Sequence, residues 1–153
     1  MYSSSSSIQQ AAALPIKRSG SNLRVLLVTS RQDGRWILPK GQIEDGESPA
    51  EGAAREAFEE AGVKGRTAAT PLGTYSYLKQ ITESRAIGSQ VVVFPMLVRK
   101  ELRRWPEMKQ RKRRWVTLDS AAKKVGDRGL AKLLRELDDR DSRKALRKSL
   151  DGL

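Results

Sequence analysis

Three glutamates, Glu56, Glu59 and Glu60, stand at i, i+3 and i+4 in a segment with helical patterning. At that spacing they share one face of a helix, roughly opposite an alanine stripe. Carboxylates held this close repel one another, and an isolated helix would not choose the arrangement without compensation. A divalent cation supplies it, and oxygen ligands suit magnesium or manganese. Arg55 lies beside them, four residues after Glu51 and four before Glu59, where plain helix salt bridges would also account for it. By composition alone, a solvated acidic helix face is the simpler account of the cluster.

The helix that must carry these residues has marked ends. Ser48 is placed to cap it, Pro49 suits the first helical position, and Glu51 completes a capping box. Gly62 is placed to end it. Ala50, Ala53, Ala54, Ala57, Phe58 and Ala61 form an apolar stripe of small residues, so the helix can lie close on a sheet. Upstream, Pro39-Lys40-Gly41 and the turn Asp45-Gly46-Glu47 make a loop able to bring a backbone carbonyl and Glu47 against the helix.

Strand patterning falls at 23–29, 35–38, 72–78, 90–98 and 115–118. Pro95, inside the most apolar run, predicts an edge or a bulge there. Asp119 is expected to cap a helix running to Val125, and Leu130, Leu133, Leu134 and Leu137 mark the face of another. Residues 139–153 alternate charges around Leu146 and Leu150 and read as a terminal helix or a frayed tail. The serine run from Ser3 to Ser7 makes 1–10 a disordered tail. That leaves 11–138 as one domain.

The 153 residues suit a single core. The chain has no Cys and no His, which excludes disulfides, a thiol nucleophile, a serine–histidine triad and a histidine or thiolate zinc site. No apolar run is long enough for a membrane-spanning helix. The start does not read as a secretory signal, so a cytoplasmic location is the default expectation. The formal charge is +12, but residues 41–63 hold seven acids and one base. An acidic island in a basic chain pairs a place for a hard cation with surroundings suited to an anionic partner.

Gly41, Glu47, Arg55, Glu56, Glu59, Glu60, Gly62 and Val63 spell G-x5-E-x7-R-E-A-x-E-E-x-G-V. This resembles the signature of the Nudix hydrolases, phosphoanhydride-cleaving enzymes built as an α/β/α sandwich around a mixed central sheet. The resemblance implies that Glu56 and Glu60 are metal ligands and that Glu59 is a further ligand or the base that activates water. It also implies that a backbone carbonyl at Lys40 or Gly41 completes the coordination of Mg2+ or Mn2+. Arg55 would orient the glutamates and Glu47 would hold Arg55. With no histidine in the chain, a glutamate must be the base if a side chain serves as one.

Thr29-Ser30-Arg31, the stretches 35–39 and 61–65, and Arg111-Lys112-Arg113-Arg114-Trp115 are similar to the diphosphoinositol polyphosphate phosphohydrolase branch. That branch cleaves diphosphoinositol polyphosphates and diadenosine polyphosphates, so an anionic polyphosphate small molecule is the implied partner. By position, Lys17, Arg18, Arg31, Lys79 and Arg111 match its phosphate contacts. Lys40-Gly41-Gln42 departs from the glycine run usual there, which points to a shifted preference. Symmetrical dinucleoside tetraphosphates and RNA 5′ ends are left open as substrates. A rival reading rests on residues 99–114, which hold nine bases and two acids around Trp105. They suit nucleic-acid binding with Trp105 stacked on a base, or a basic loop with Trp105 covering the core edge. Tyr75 and Tyr77, alternate residues on one strand face, are expected to pack beneath a helix or loop.

Overall fold

The computed structural model describes residues 8–153. β1 (Ile8–Ser19) runs through the middle of a mixed eight-stranded sheet. Along one edge it pairs antiparallel with β4 (Lys40–Gln42) through its first half and with β2 (Asn22–Thr29) through its second. Its other edge lies parallel to β7 (Arg85–Glu101), from Ile8 against Ser89 to Ile16 against Leu97. β2 carries the sheet on to β3 (Trp36–Ile37) and β8 (Arg113–Thr117). β7 is flanked first by β6 (Gly73–Thr82) and then by β5 (Val63–Thr67).

Helices cover both faces. On one, α1 (Pro49–Glu56) and a π-helical turn continuing it (Ala57–Ala61) set Ala53, Ala57 and Ala61 on Ala11, Ala13, Leu26, Val28 and Phe94. Alanine on alanine lets the helix approach the sheet closely, as the small-residue stripe requires. On the other face, α2 (Leu118–Lys124), α3 (Arg128–Leu137) and α4 (Arg140–Asp151) bury the larger side chains, among them Leu130, Leu134, Leu146 and Leu150 against Leu14, Ile16 and Leu27. The architecture is the α/β/α sandwich.

Several local expectations need correction. Residues 8–10 of the expected tail belong to β1, and Gln10 to Ile16 are buried, because the strand has neighbours on both edges and helices on both faces. Residues 1–7 lie outside the described residues. Pro95 is in a central strand, without a bulge: it faces Leu14 on β1, and its missing N–H falls where the outer neighbour changes from β6 to β5. Thr117, not Asp119, caps α2, its side chain accepting from the Ser120 N–H. Of the two readings of the terminal residues the helix holds: residues 140–151 form α4, which buries Leu146 and Leu150 in the core.

Candidate active site

A cleft of about 740 Å3 opens at the end of the sheet where β1 begins and β2 ends. Its wall carries the glutamate helix. Ser48 Oγ accepts from the Glu51 N–H at 3.1 Å and Glu51 Oε1 accepts from the Ser48 N–H at 2.8 Å, so the capping box closes as its residue types demand. From Ala57 the helix widens into the π turn, whose i to i+5 bonding recurs at functional sites. Gly62, at φ +67°, takes the left-handed conformation that ends it. Glu56, Glu59 and Glu60 all line the cleft, with Glu56 and Glu60 buried.

Arg55 is the brace of this wall. Its Nε and Nη2 donate to the two oxygens of Glu47 at 2.9 and 3.0 Å, and its Nη1 donates to Glu56 Oε1 at 2.6 Å. A fourth contact runs from Nη2 to the Gln42 carbonyl at 3.0 Å, which ties the loop to the helix. The forked, doubly bonded pair with Arg55 holds the Glu47 carboxyl below its ordinary range, and Glu47 in turn pushes Arg55 up. Glu47 itself stands behind the cleft, pinned further by the Glu44 N–H at 3.0 Å.

Glu60 is 5% exposed. Burial, with help from the neighbouring Glu56, pushes its carboxyl up to about 9, against the pull of Arg111 and the Lys40 N–H. That N–H donates to Glu60 Oε1 at 3.2 Å, and Arg111 Nη2 lies 3.4 Å from Oε2. Glu59 is raised too, by burial first and then by Glu56, with Arg55 opposing. Gly41 lies so close to Glu56 that a Cβ there would sit 2.5 Å from the Glu56 carboxyl. The donor set is all oxygen, with Glu56 and Glu60 buried, which fits a hard divalent cation. Among the described residues no three acids form a ready-made cation cage, so the convergent element is the Glu56–Glu60 pair with Glu59 beside it.

A second wall faces the helix. Lys40 Nζ donates to the Tyr77 hydroxyl at 3.2 Å and lies 4.5 Å from its ring centre. The Tyr77 hydroxyl donates to Oε1 of the buried Gln10 at 2.7 Å. Arg31 and Lys79 also line the cleft. Thus Tyr75 packs in the core as expected, while Tyr77 belongs to the site.

The loop after β7, together with Arg113 at the start of β8, fastens the far end of the helix. Its donors satisfy four successive carbonyls: Glu107 N to Glu59, Trp105 Nε1 to Glu60, Arg113 Nη1 to Ala61 and Leu102 N to Gly62, at 2.8–3.0 Å. Arg113 stacks on Trp105 at 3.9 Å, so Trp105 is committed to the helix end and is not presented for stacking on a base.

Of the residues matched by position to phosphate contacts, the structure brings Arg31, Lys79 and Arg111 to the cleft. Lys17 and Arg18 lie elsewhere, at the opposite end of β1. Lys17 sits over the Trp115 ring and Arg18 pairs with Asp151 of α4. Sequence reasoning missed Gln10, Tyr77 and Glu107 as cleft residues. Strand alternation brings Tyr77 onto the face of Tyr75, but nothing in the pattern marks Gln10 or Glu107.

Comparison with known proteins agrees with this geometry. The NUDIX domain model matches residues 8–137, and the chain belongs to the Nudix family. Nudix hydrolase 12, mitochondrial, of Arabidopsis thaliana is 37% identical over 126 residues, covering 78% of this chain and 62% of that protein. Diphosphoinositol polyphosphate phosphohydrolase 2 of Rattus norvegicus is 33% identical over 117 residues, covering 75% and 61% respectively. The chain spans about half to three fifths of the length of the curated relatives it matches. A C. elegans Ap4A hydrolase binary complex shares the fold, with TM-score 0.64, 18% identity and coverage of 85% of this chain and 94% of that one. No described helix is long and apolar enough to cross a membrane. The cytoplasmic default gains nothing from the plant relative, which is named mitochondrial.

Proposed function

We propose that the protein hydrolyses a phosphoanhydride bond in a small polyphosphorylated substrate, with a diphosphoinositol polyphosphate or a diadenosine polyphosphate as the first choice. One observation carries this reading: a buried glutamate pair, braced by the Arg55–Glu47 fork, forms one wall of a cleft whose other side bears Arg31, Lys40 and Lys79. A cation site and an anion-binding wall facing one another suit a polyphosphate better than any neutral ligand. The rat relative named for diphosphoinositol polyphosphate supports the substrate choice.

Magnesium or manganese would be held by Glu56 and Glu60, with Glu59 and the backbone carbonyl of Lys40 or Gly41 completing the set. Such an ion, when bound, polarises a phosphate oxygen and lowers the pKa of a bound water. Arg55 fixes Glu56 from behind, so the carboxylate is oriented before substrate arrives. Glu59, whose raised pKa moves it toward the range of a useful base, accepts the proton of the attacking water. Water adds to one phosphorus as the bridging P–O bond breaks, and two phosphorylated products leave. Arg31 and Lys79 hold the phosphates in line.

A magnesium-dependent hydrolysis panel with product identification tests this. It compares diphosphoinositol polyphosphates, diadenosine polyphosphates, nucleoside triphosphates, ADP-ribose and 5′-triphosphorylated RNA, each repeated with Glu60→Gln and Glu59→Gln. The expected result is preference for the first two and a loss of at least about 100-fold in both variants. Preference for another phosphoanhydride overturns the substrate choice. Near-normal rates in folded variants overturn the assignment of the glutamates.

A further inference from the structure

Glu107 stands where an acid is costly. It lines the cleft beside a wall that already holds Glu56, Glu59 and Glu60, and its charge acts on Glu59 as a repulsion. Two guanidinium groups compensate it. Glu107 Oε1 accepts from Arg111 Nε at 2.9 Å and lies 4.0 Å from Arg31 Nε. The backbone is engaged as well. The Glu107 N–H donates to the Glu59 carbonyl and the Glu107 carbonyl accepts from the Gln110 N–H, both at 3.0 Å. The residue is therefore tied to the π turn independently of its side chain.

At an exposed position the Glu107–Arg111 contact would be an ordinary surface ion pair, which contributes little. Burial argues against that account. The Arg111 side chain is 7% exposed and that of Glu107 22%. Without Glu107 the buried Nε–H of Arg111 would lose its partner, and the guanidinium would lose the bond that sets its rotation. The same contact governs Glu60. Arg111 Nη2 stands 3.4 Å from Glu60 Oε2, farther than Nε stands from Glu107, so the shorter bond goes to Glu107. Glu60 is oriented by Arg111 without being closed off by it. Arg31 is held differently. Its side chain is 63% exposed, and among the described residues Glu107 is the acid it faces. A separation of 4.0 Å keeps Arg31 at the cleft yet lets a phosphate draw it away.

We infer that Glu107 is a positioning residue of this site and acts at two points. Through Arg111 it holds Glu60 in the orientation that receives a cation, and it keeps Arg31 at the cleft until a substrate phosphate takes that guanidinium over. The inference rests on the reading of the cleft as a phosphoanhydride site. In this role Glu107 touches neither cation nor substrate. It acts as the hydrogen-bonded partners behind metal-binding carboxylates act, by fixing the geometry of the groups in front.

The test compares the wild-type chain with Glu107→Ala, Arg111→Ala and their double variant. Manganese affinity is read by electron paramagnetic resonance without substrate, and kcat and KM for diadenosine tetraphosphate are read at saturating magnesium. Glu107→Ala should weaken manganese binding and lower kcat, each by about 10–100-fold. Its KM should fall by about two- to fivefold, because Arg31 no longer leaves a carboxylate to meet the phosphate. The double variant should bind manganese within about threefold of Arg111→Ala, since one residue acts through the other. Glu107→Gln keeps a neutral acceptor for Arg111 but releases Arg31, so it should recover kcat to within about fivefold of wild type and retain the low KM. Losses that multiply in the double variant would make Glu107 a ligand in its own right and overturn the proposal. So would a KM that rises in Glu107→Ala. If the wild-type chain turns over no phosphoanhydride, the functional reading fails separately, and the manganese comparison still decides whether Glu107 acts through Arg111.

Discussion

Arg111 matches a phosphate contact by position, yet all three of its guanidinium nitrogens are engaged inside the protein. Nη1 donates to the Thr29 carbonyl at 2.9 Å, Nε donates to Glu107 at 2.9 Å and Nη2 faces Glu60. Its side chain is 7% exposed. We therefore expect Arg111→Ala to lower kcat and raise the magnesium concentration needed for half-maximal rate, with a smaller change in KM. A rise in KM alone would return Arg111 to the substrate. Glu60 gives a second test. The native state holds its proton up to about 9, whereas the unfolded chain releases it near 4.5. Between those limits the native protein binds more protons, so metal-free stability should fall as pH rises from 5 to 9. With no histidine or cysteine, little else in the chain titrates in that window. Thermal melts in chelator should show the decline, Glu60→Gln should flatten it, and magnesium should reverse it.

At the scale of elements, the helix end carries the next prediction. A Cβ on Gly62 would meet Arg113 and Trp105 at 2.8 Å, in a backbone conformation that disfavours side chains. Gly62→Ala should cost about 1–3 kcal/mol in denaturant unfolding. Trp105→Phe keeps the stacking but removes the donor to the Glu60 carbonyl, so it should weaken manganese binding, read by electron paramagnetic resonance, more than it lowers stability. The start of this helix was legible, because Ser48, Pro49 and Glu51 act locally and need no partner. The π turn was not: the same alanine stripe fits an α-helix, and the donors that satisfy its opened carbonyls come from residues 102–113. β1 escaped for a related reason. Gln9 to Ala13 lacks β-branched residues and becomes strand through pairing with β7, about 80 positions away.

For the whole molecule, the position-by-position resemblance identified the acidic wall but misplaced Lys17 and Arg18. Spacing within one helix is preserved in sequence, while distance along a strand from a cleft emerges only when the sheet is assembled. The terminal residues show the same limit. Leu150 is 1% exposed beneath α4, so Leu150→Ala should destabilise the protein by about 2–5 kcal/mol, measured by chemical denaturation. An effect near zero would make α4 an appendage after all.

The continuous pairing of β1 with β7 also sets an order of events during synthesis. β6 and β7 form an adjacent antiparallel hairpin, a local contact of the kind that assembles early. β1 and β4 must wait for β7 before the central parallel pairing can close. Gln10 and Gly41 therefore reach their places late, after most of the chain has left the ribosome. Pulse-labelling hydrogen exchange on refolding should find β6–β7 amides protected before those of β1.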